Sequence, residues 1–230
     1  MRRILVAAVV LVLAGCAPSP VREPAKAPAE APKDFPESHY RELLAAGKPV
    51  YRVDPKESVV VIEVRRAGKF ANLGHDHVVA SRNLRGWIAP EEGRADLYVA
   101  LDALTVDEPE LRQESGFETQ PSETDVAGTR ANMRDKVLEV DRFPYALVHA
   151  TVKDGDRALR LSITLHGTTR SFDVPAKVDA DAERVEASGR LSFDQSAFGI
   201  TPYSVLGGAV AVRDRLDLRF DVRARRAGAD

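Results

Sequence analysis

The clearest coordination chemistry in the chain is the stretch Gly74-His75-Asp76-His77. Residues two apart on a strand point to the same side, so both imidazoles could approach one metal ion or a haem-type ligand, with Asp76 opposite or turned in from a loop. Two ligands do not make a site, and closure would need His149, His166 or a carboxylate brought close by the fold. The alternative is a polar loop beside Gly74 whose histidines hydrogen-bond the backbone, and the sequence leaves both open. Enzyme signatures are missing: there is no Gly-x-Ser-x-Gly elbow, no phosphate-binding glycine loop and no His-Glu-x-x-His. The acidic pairs Glu91/Glu92 and Asp107/Glu108 lie in turn-rich polar segments and read as solvated charge. No catalytic residue and no resident cofactor are expected.

The one cysteine, Cys16, is the other reactive group. Arg2 and Arg3 precede an apolar run from Ile4 to Leu13, which narrows to Ala14 and Gly15. The run is well short of the roughly 20 apolar residues that span a bilayer, so residues 1–15 read as a secretory signal. Leu13-Ala14-Gly15-Cys16 resembles the lipobox of bacterial lipoproteins, which implies cleavage before Cys16 and its lipidation. Ala17, rather than Asp, follows the cysteine, and by the same resemblance the mature protein faces the periplasm, anchored in the outer membrane.

Those chemical groups must be held by the remaining chain. Residues 16–34 are Ala, Pro, Glu and Lys with almost no large apolar side chain, a composition that reads as a semi-extended tether. In the lead-in over 35–49, Tyr40, Leu43 and Leu44 recur at helical spacing. The rest, 50–226, is long enough for one domain with a real core. Loss of Arg2 and Arg3 takes the formal charge from −2 to −4, and the basic residues are interspersed with acidic ones, so no nucleic-acid partner is expected.

From Val50 onward the dominant signal is period-two alternation. Leu216, Leu218, Phe220 and Val222 alternate with Arg215, Asp217, Arg219, Asp221 and Arg223; Val185 to Phe193, Leu159 to Leu165 and Leu97 to Leu101 repeat the pattern. Asp154-Gly155-Asp156 predicts a tight hairpin turn between two of these strands, and Gly207-Gly208 a turn or barrel corner. About eight antiparallel strands with one dry face pack as two sheets or close into a barrel, and closure removes the exposed edges. Alternation stops between Val106 and Val140, where Met133, Val137, Leu138 and Val140 fall near helical spacing. That stretch predicts a helical insertion capped by Asp125 or Thr129 and ended before Pro144.

Several motifs in order carry a family resemblance: Tyr51-Arg52-Val53-Asp54-Pro55 with Ser58, then Asn132-Met133-Arg134, Phe143-Pro144-Tyr145-Ala146, Leu165-His166-Gly167-Thr168-Thr169-Arg170, Phe193-Asp194-Gln195-Ser196-Ala197-Phe198-Gly199-Ile200 and Val212-Arg213-Asp214. From about Val50 to Arg225 the chain resembles the YceI-like domain. The resemblance implies an all-β, antiparallel, lipocalin-like barrel that binds or carries a polyisoprenoid or other long-chain amphiphile. The histidines at 75, 77 and 166 depart from that pattern.

Alternation then nominates the inward face: Leu97, Val99, Leu101, Leu161, Ile163, Leu191, Phe193, Leu218 and Phe220, with Phe70, Trp87 and Phe198 as larger wall or mouth residues. These side chains either fill the barrel or line a cavity for an isoprenoid or fatty lipid. Two other readings stay open: a metal or haem-type module built on His75 and His77, and a ligand-free envelope stress or interaction module.

Overall fold

The computed structural model describes residues 30–152 and 158–228. The signal segment, Cys16, most of the tether and the turn at Asp154-Gly155-Asp156 lie outside the described residues.

The chain opens with helix α1 (Glu37–Ala45), followed by strands β1 (Tyr51–Val53), β2 (Val59–Val64) and β3 (Arg66–Ala67). Then come β4 (His77–Ser81), β5 (Leu84–Ala89), β6 (Arg94–Ala100) and β7 (Thr105–Val106). The insertion holds helices α2 (Pro109–Glu114) and α3 (Glu123–Asn132). Long strands follow: β8 (Tyr145–Val152), β9 (Ala158–Leu165), β10 (Thr168–Ala180) and β11 (Arg184–Asp194). After a rim hairpin, β12 (Ser204–Val205) and β13 (Val210–Val212), the described chain runs up β14 (Arg215–Arg226).

These strands close an eight-stranded antiparallel barrel in the order β1-β5-β6-β8-β9-β10-β11-β14, with β14 returning to β1. Closure depends on a broken strand. One edge of β14 pairs with β11 from Arg215 to Arg225, while its other edge is shared by β2, opposite Asp217 to Asp221, and β1, opposite Ala224 to Arg226. The break falls at residues 54–58, where the Ser58 hydroxyl donates to Arg223 O at 3.2 Å and accepts from Arg223 N at 3.0 Å. The buried Ser58 side chain thus serves both backbone groups of Arg223, sharing Arg223 O with Asp54 N–H at 2.8 Å. The same break recurs beside it, since β4 and β7 continue the line of β5 and β6 and pair with each other through Val79↔Val106.

Alternating residues sort as the sequence predicts, with Leu216 and Val222 buried and Arg215, Asp217 and Arg223 on the wet side. Between β9 and β10 the two-residue turn places His166 at φ 51° and Gly167 at φ 73°, the doubly left-handed geometry of a type I′ hairpin. Histidine is among the side chains that tolerate this region, which accounts for its presence there.

The insertion differs from the sequence reading. The cap of α3 is Ser122, whose hydroxyl accepts from Asp125 N at 3.2 Å, while Asp125 reaches back to Ser122 N at 3.1 Å. Asp125 is therefore the third helical residue and Thr129 lies mid-helix. None of the α3 residues is buried, so the first turns carry no apolar periodicity, and the signal emerges only in the π turn Met133–Val137 that follows. Leu101 is also displaced from its expected strand: it begins the 3₁₀ turn Leu101–Ala103, though it stays buried.

Candidate functional site

The inside of the barrel is partly hollow. Its larger chamber, about 320 Å³, is walled by β2, β4, β6, β9 and β14 and by the turn after α3. A smaller one of about 200 Å³ lies toward the β8–β9 end. Val60, Leu84, Val148, Ile163 and Leu218 face both, so the two abut across a waist of five aliphatic side chains. A wider groove of about 840 Å³ beside the insertion is open and rich in charge, with Arg130, Arg134 and Asp135 among its residues. It lacks the apolar walls of a hydrocarbon site.

All nine inward candidates reach a chamber. Val99, Leu101 and Phe193 face the larger, Leu97, Leu161, Leu191 and Phe220 the smaller, and Ile163 and Leu218 both. Gly189 gives Phe220 its space: the two are cross-strand partners, and a Cβ on Gly189 would stand 2.7 Å from the tip of the Phe220 ring.

None of the three larger aromatics lines a chamber wall, and only Phe70 stands at the mouth. Trp87 is on the outer surface, stacked on Tyr40 of α1 at 6.2 Å between ring centres. Phe70 sits on the rim and is 52% exposed. Phe198 is fully buried in a 3₁₀ turn, edge-on to Phe193 at 5.4 Å, as core rather than chamber wall. Sequence alternation could not place these residues, because Phe70 and Phe198 lie outside strands and the partner covering Trp87 is a helix remote in sequence.

The rim of the larger chamber is a small sheet, β12-β13-β3. Val205, Val210, Ala211 and Val212 line the chamber from it, and the rim also carries the exposed side chains Phe70, Leu73 and Leu206. Gly207 (φ 63°) and Gly208 (φ 87°) make the turn of this hairpin.

His75 and His77 lie on the chamber wall with Arg66, Thr129 and Asn132. His75 precedes β4 and His77 begins it, yet the two rings meet edge to face with 6.2 Å between centres. Asp76 turns away: it accepts from Arg66 N at 2.8 Å and pins β3. His149 bonds Asp96 on the outer wall and His166 bonds Glu139, so neither joins the pair. Among the described residues no group of three His, Cys, Asp or Glu side chains is arranged to hold a metal ion.

The partner of His77 is instead Asp107, whose Oδ2 lies 2.6 Å from His77 Nδ1. Asp107 Oδ1 accepts from Val78 N at 3.0 Å and from Arg112 at 2.5 Å. Asp107 and Arg112 are both buried, and Arg112 also donates to Asp76 O and Thr119 O. Burial alone would push the Asp107 carboxyl up; the bonds from His77, Val78 and Arg112 outweigh it and hold the group below the usual carboxylate range. Sequence reasoning missed this cluster, since Asp107 reads locally as a turn acid and its partner is thirty residues away.

The chain's likeness to known proteins agrees with this architecture. Among solved structures, a polyisoprenoid-binding domain from Saccharophagus degradans, implicated in plant cell wall breakdown, superposes with a TM-score of 0.56 at 15% identity, covering 78% of this chain and 100% of that one. BcnA of Burkholderia cenocepacia is 14% identical with a TM-score of 0.48, covering 74% of this chain and 98% of that one. A YceI protein of Campylobacter jejuni is 13% identical over 58% of this chain and 72% of its own, with a TM-score of 0.40. No curated protein sequence matches. The sequence profile of the YceI-like domain matches residues 51–224, from β1 to within two residues of the end of the closing strand β14, and the chain belongs to the YceI-like domain family.

Proposed function

We propose that the barrel holds one long-chain amphiphile, its apolar tail running from the larger chamber past the waist into the smaller and its head at the His75/His77 wall. The observation that carries this is the pair of abutting chambers lined mainly by aliphatic side chains, with most of the polar groups on the larger chamber. Burial of a hydrocarbon there contributes about 0.8 kcal/mol per methylene, so affinity rises with chain length until both chambers are full. The polyisoprenoid-binding relative of the same fold supports an isoprenoid as the tail. Binding of this kind makes and breaks no covalent bond, and the YceI-like domain is a binding fold.

In the same reading the protein is an exported lipoprotein, fixed through Cys16 to the periplasmic face of the outer membrane, and carries its ligand close to that membrane. The lipobox-like Leu13-Ala14-Gly15-Cys16 supports the anchor. Native mass spectrometry with organic extraction, on the Cys16→Ser chain purified without detergent, tests the cavity. A stoichiometric long-chain lipid is expected. An empty protein that fails to take up any lipid of graded chain length would overturn the reading.

A further inference from the structure

Asp107 determines which hydrogen-bonding partner His77 can accept from the chamber. An ionised carboxylate only accepts hydrogen bonds, and Asp107 uses Oδ1 for Val78 N–H and Arg112 and Oδ2 for His77 Nδ1. The proton of the neutral imidazole must therefore sit on Nδ1, which leaves Nε2 as a bare lone pair. That atom faces Thr129 Oγ1 at 3.5 Å, too long for a well-formed O–H···N bond. Beside it, His75 Nδ1 is buried and has no partner among the described residues. A buried acceptor on an apolar wall costs free energy until a donor reaches it.

The neighbouring cations already face acceptors, although Arg112 Nε is buried without a partner among the described residues. Arg66 donates to Gly74 O at 2.9 Å and faces Asp76, and Arg112 is committed to Asp107, Asp76 O and Thr119. A carboxylate or fully ionised phosphate head has no hydrogen to donate to Nε2 and would bring a second negative charge up to Asp107. An ester or ether oxygen, which only accepts, would leave Nε2 unmet.

We propose that the amphiphile's head is an uncharged hydroxyl, which donates its hydrogen bond to His77 Nε2, so that the site selects long-chain alcohols. The inference rests on the tail-in-barrel reading above. The hydroxyl oxygen keeps its own acceptor capacity for the Thr129 hydroxyl or the Asn132 amide on the same wall.

The test compares geranylgeraniol with its methyl ether, which shares the chain but has no O–H, on the full chain carrying Cys16→Ser. Affinity is read by competition against a bound fluorescent fatty probe. The alcohol is expected to bind about tenfold more tightly than the ether. In His77→Phe, which keeps a ring of similar size without the acceptor, the ratio is expected to fall to about one because the alcohol loses its acceptor. Nitrogen-15 NMR of the unmodified site supplies a reading that needs no variant: Nε2 is expected without a proton, and its resonance to move when the alcohol, but not the ether, is added. Equal affinities, a protonated Nε2 in the neutral ring, or a preference that persists in folded His77→Phe would each overturn the hydroxyl assignment while leaving the tail reading intact. Failure of both probes to bind would overturn the tail reading and this inference with it.

Discussion

Tyr40 of α1 donates a 2.7 Å hydrogen bond to Asp96 of β6 through a fully buried phenol, tying the lead-in helix to the outside of the barrel. Burial of Asp96 would raise its carboxyl, but bonds from Tyr40, Arg94 and His149 outweigh it and hold it below the usual range. The Tyr40 phenol is pushed up, first by burial and then by its bond to Asp96. A lowered carboxylate stabilises the fold above its ordinary value of ~3.9 and loses that contribution as pH falls further. A raised phenol stabilises below its ordinary value of ~10 and loses it as pH rises. Tyr40→Phe is expected to cost about 2 kcal/mol at neutral pH and to flatten both limbs of the stability profile, as measured by urea unfolding across pH. An unchanged midpoint would show that α1 docks by packing alone.

Ile163 stands at the waist between the chambers. Ile163→Phe is expected to block the passage and lower the longest chain that adds affinity. Each excluded methylene costs about 0.8 kcal/mol, roughly fourfold in Kd. Ile163→Asp is expected to remove lipid altogether. Titration with a homologous series of alcohols reads the cut-off, and a series that loses affinity uniformly at every length would refute the waist.

Gly189→Ala tests the far chamber from outside the waist. The new methyl meets the tip of Phe220, a side-chain end, and stands 3.1 Å from the Pro175 carbonyl oxygen, which is backbone. The expected result is a folded protein, destabilised by about 1–2 kcal/mol, that binds short chains normally and long ones poorly.

Arg112→Ala leaves Asp107 buried without its guanidinium partner and is expected to cost about 3–5 kcal/mol in thermal or chemical unfolding. A loss below 1 kcal/mol would mean that the insertion, not this ion pair, holds the Asp107 turn in place.

Cys16→Ser is expected to abolish acyl labelling and release the protein from membranes. Membrane association that survives the change would locate the anchor elsewhere.

Much of this molecule is legible as alternation. Leu97, Leu161, Ile163, Leu218 and Phe220 announce an inside face because every second residue between them is polar, and a strand with one wet side can hide little else. Where a strand is covered on both sides the signal vanishes. The run Val59–Val64 is apolar nearly throughout, so Val60, Ile62 and Val64 could not be told from their neighbours as chamber residues. Capping chemistry at Ser122 lay in a polar stretch whose helix buries no residue fully. The His77–Asp107–Arg112 cluster is a product of closure: it forms only when β4 and β7 pair and α2 folds over them, and nothing local in the sequence encodes that meeting.

Asp107 holds its place in the left-handed region, at φ 58°. Apart from glycine, asparagine and aspartate are the residues best suited to that conformation. Asparagine could keep its carbonyl toward Val78 N–H and Arg112 while turning its amide toward His77 Nδ1, which would move the imidazole proton to Nε2. The backbone thus narrows the useful occupants of this position to two of opposite polarity, a single base change apart. A lineage carrying this barrel could exchange an appetite for donors for one for acceptors in one mutational step, with the shape of its chambers inherited unchanged.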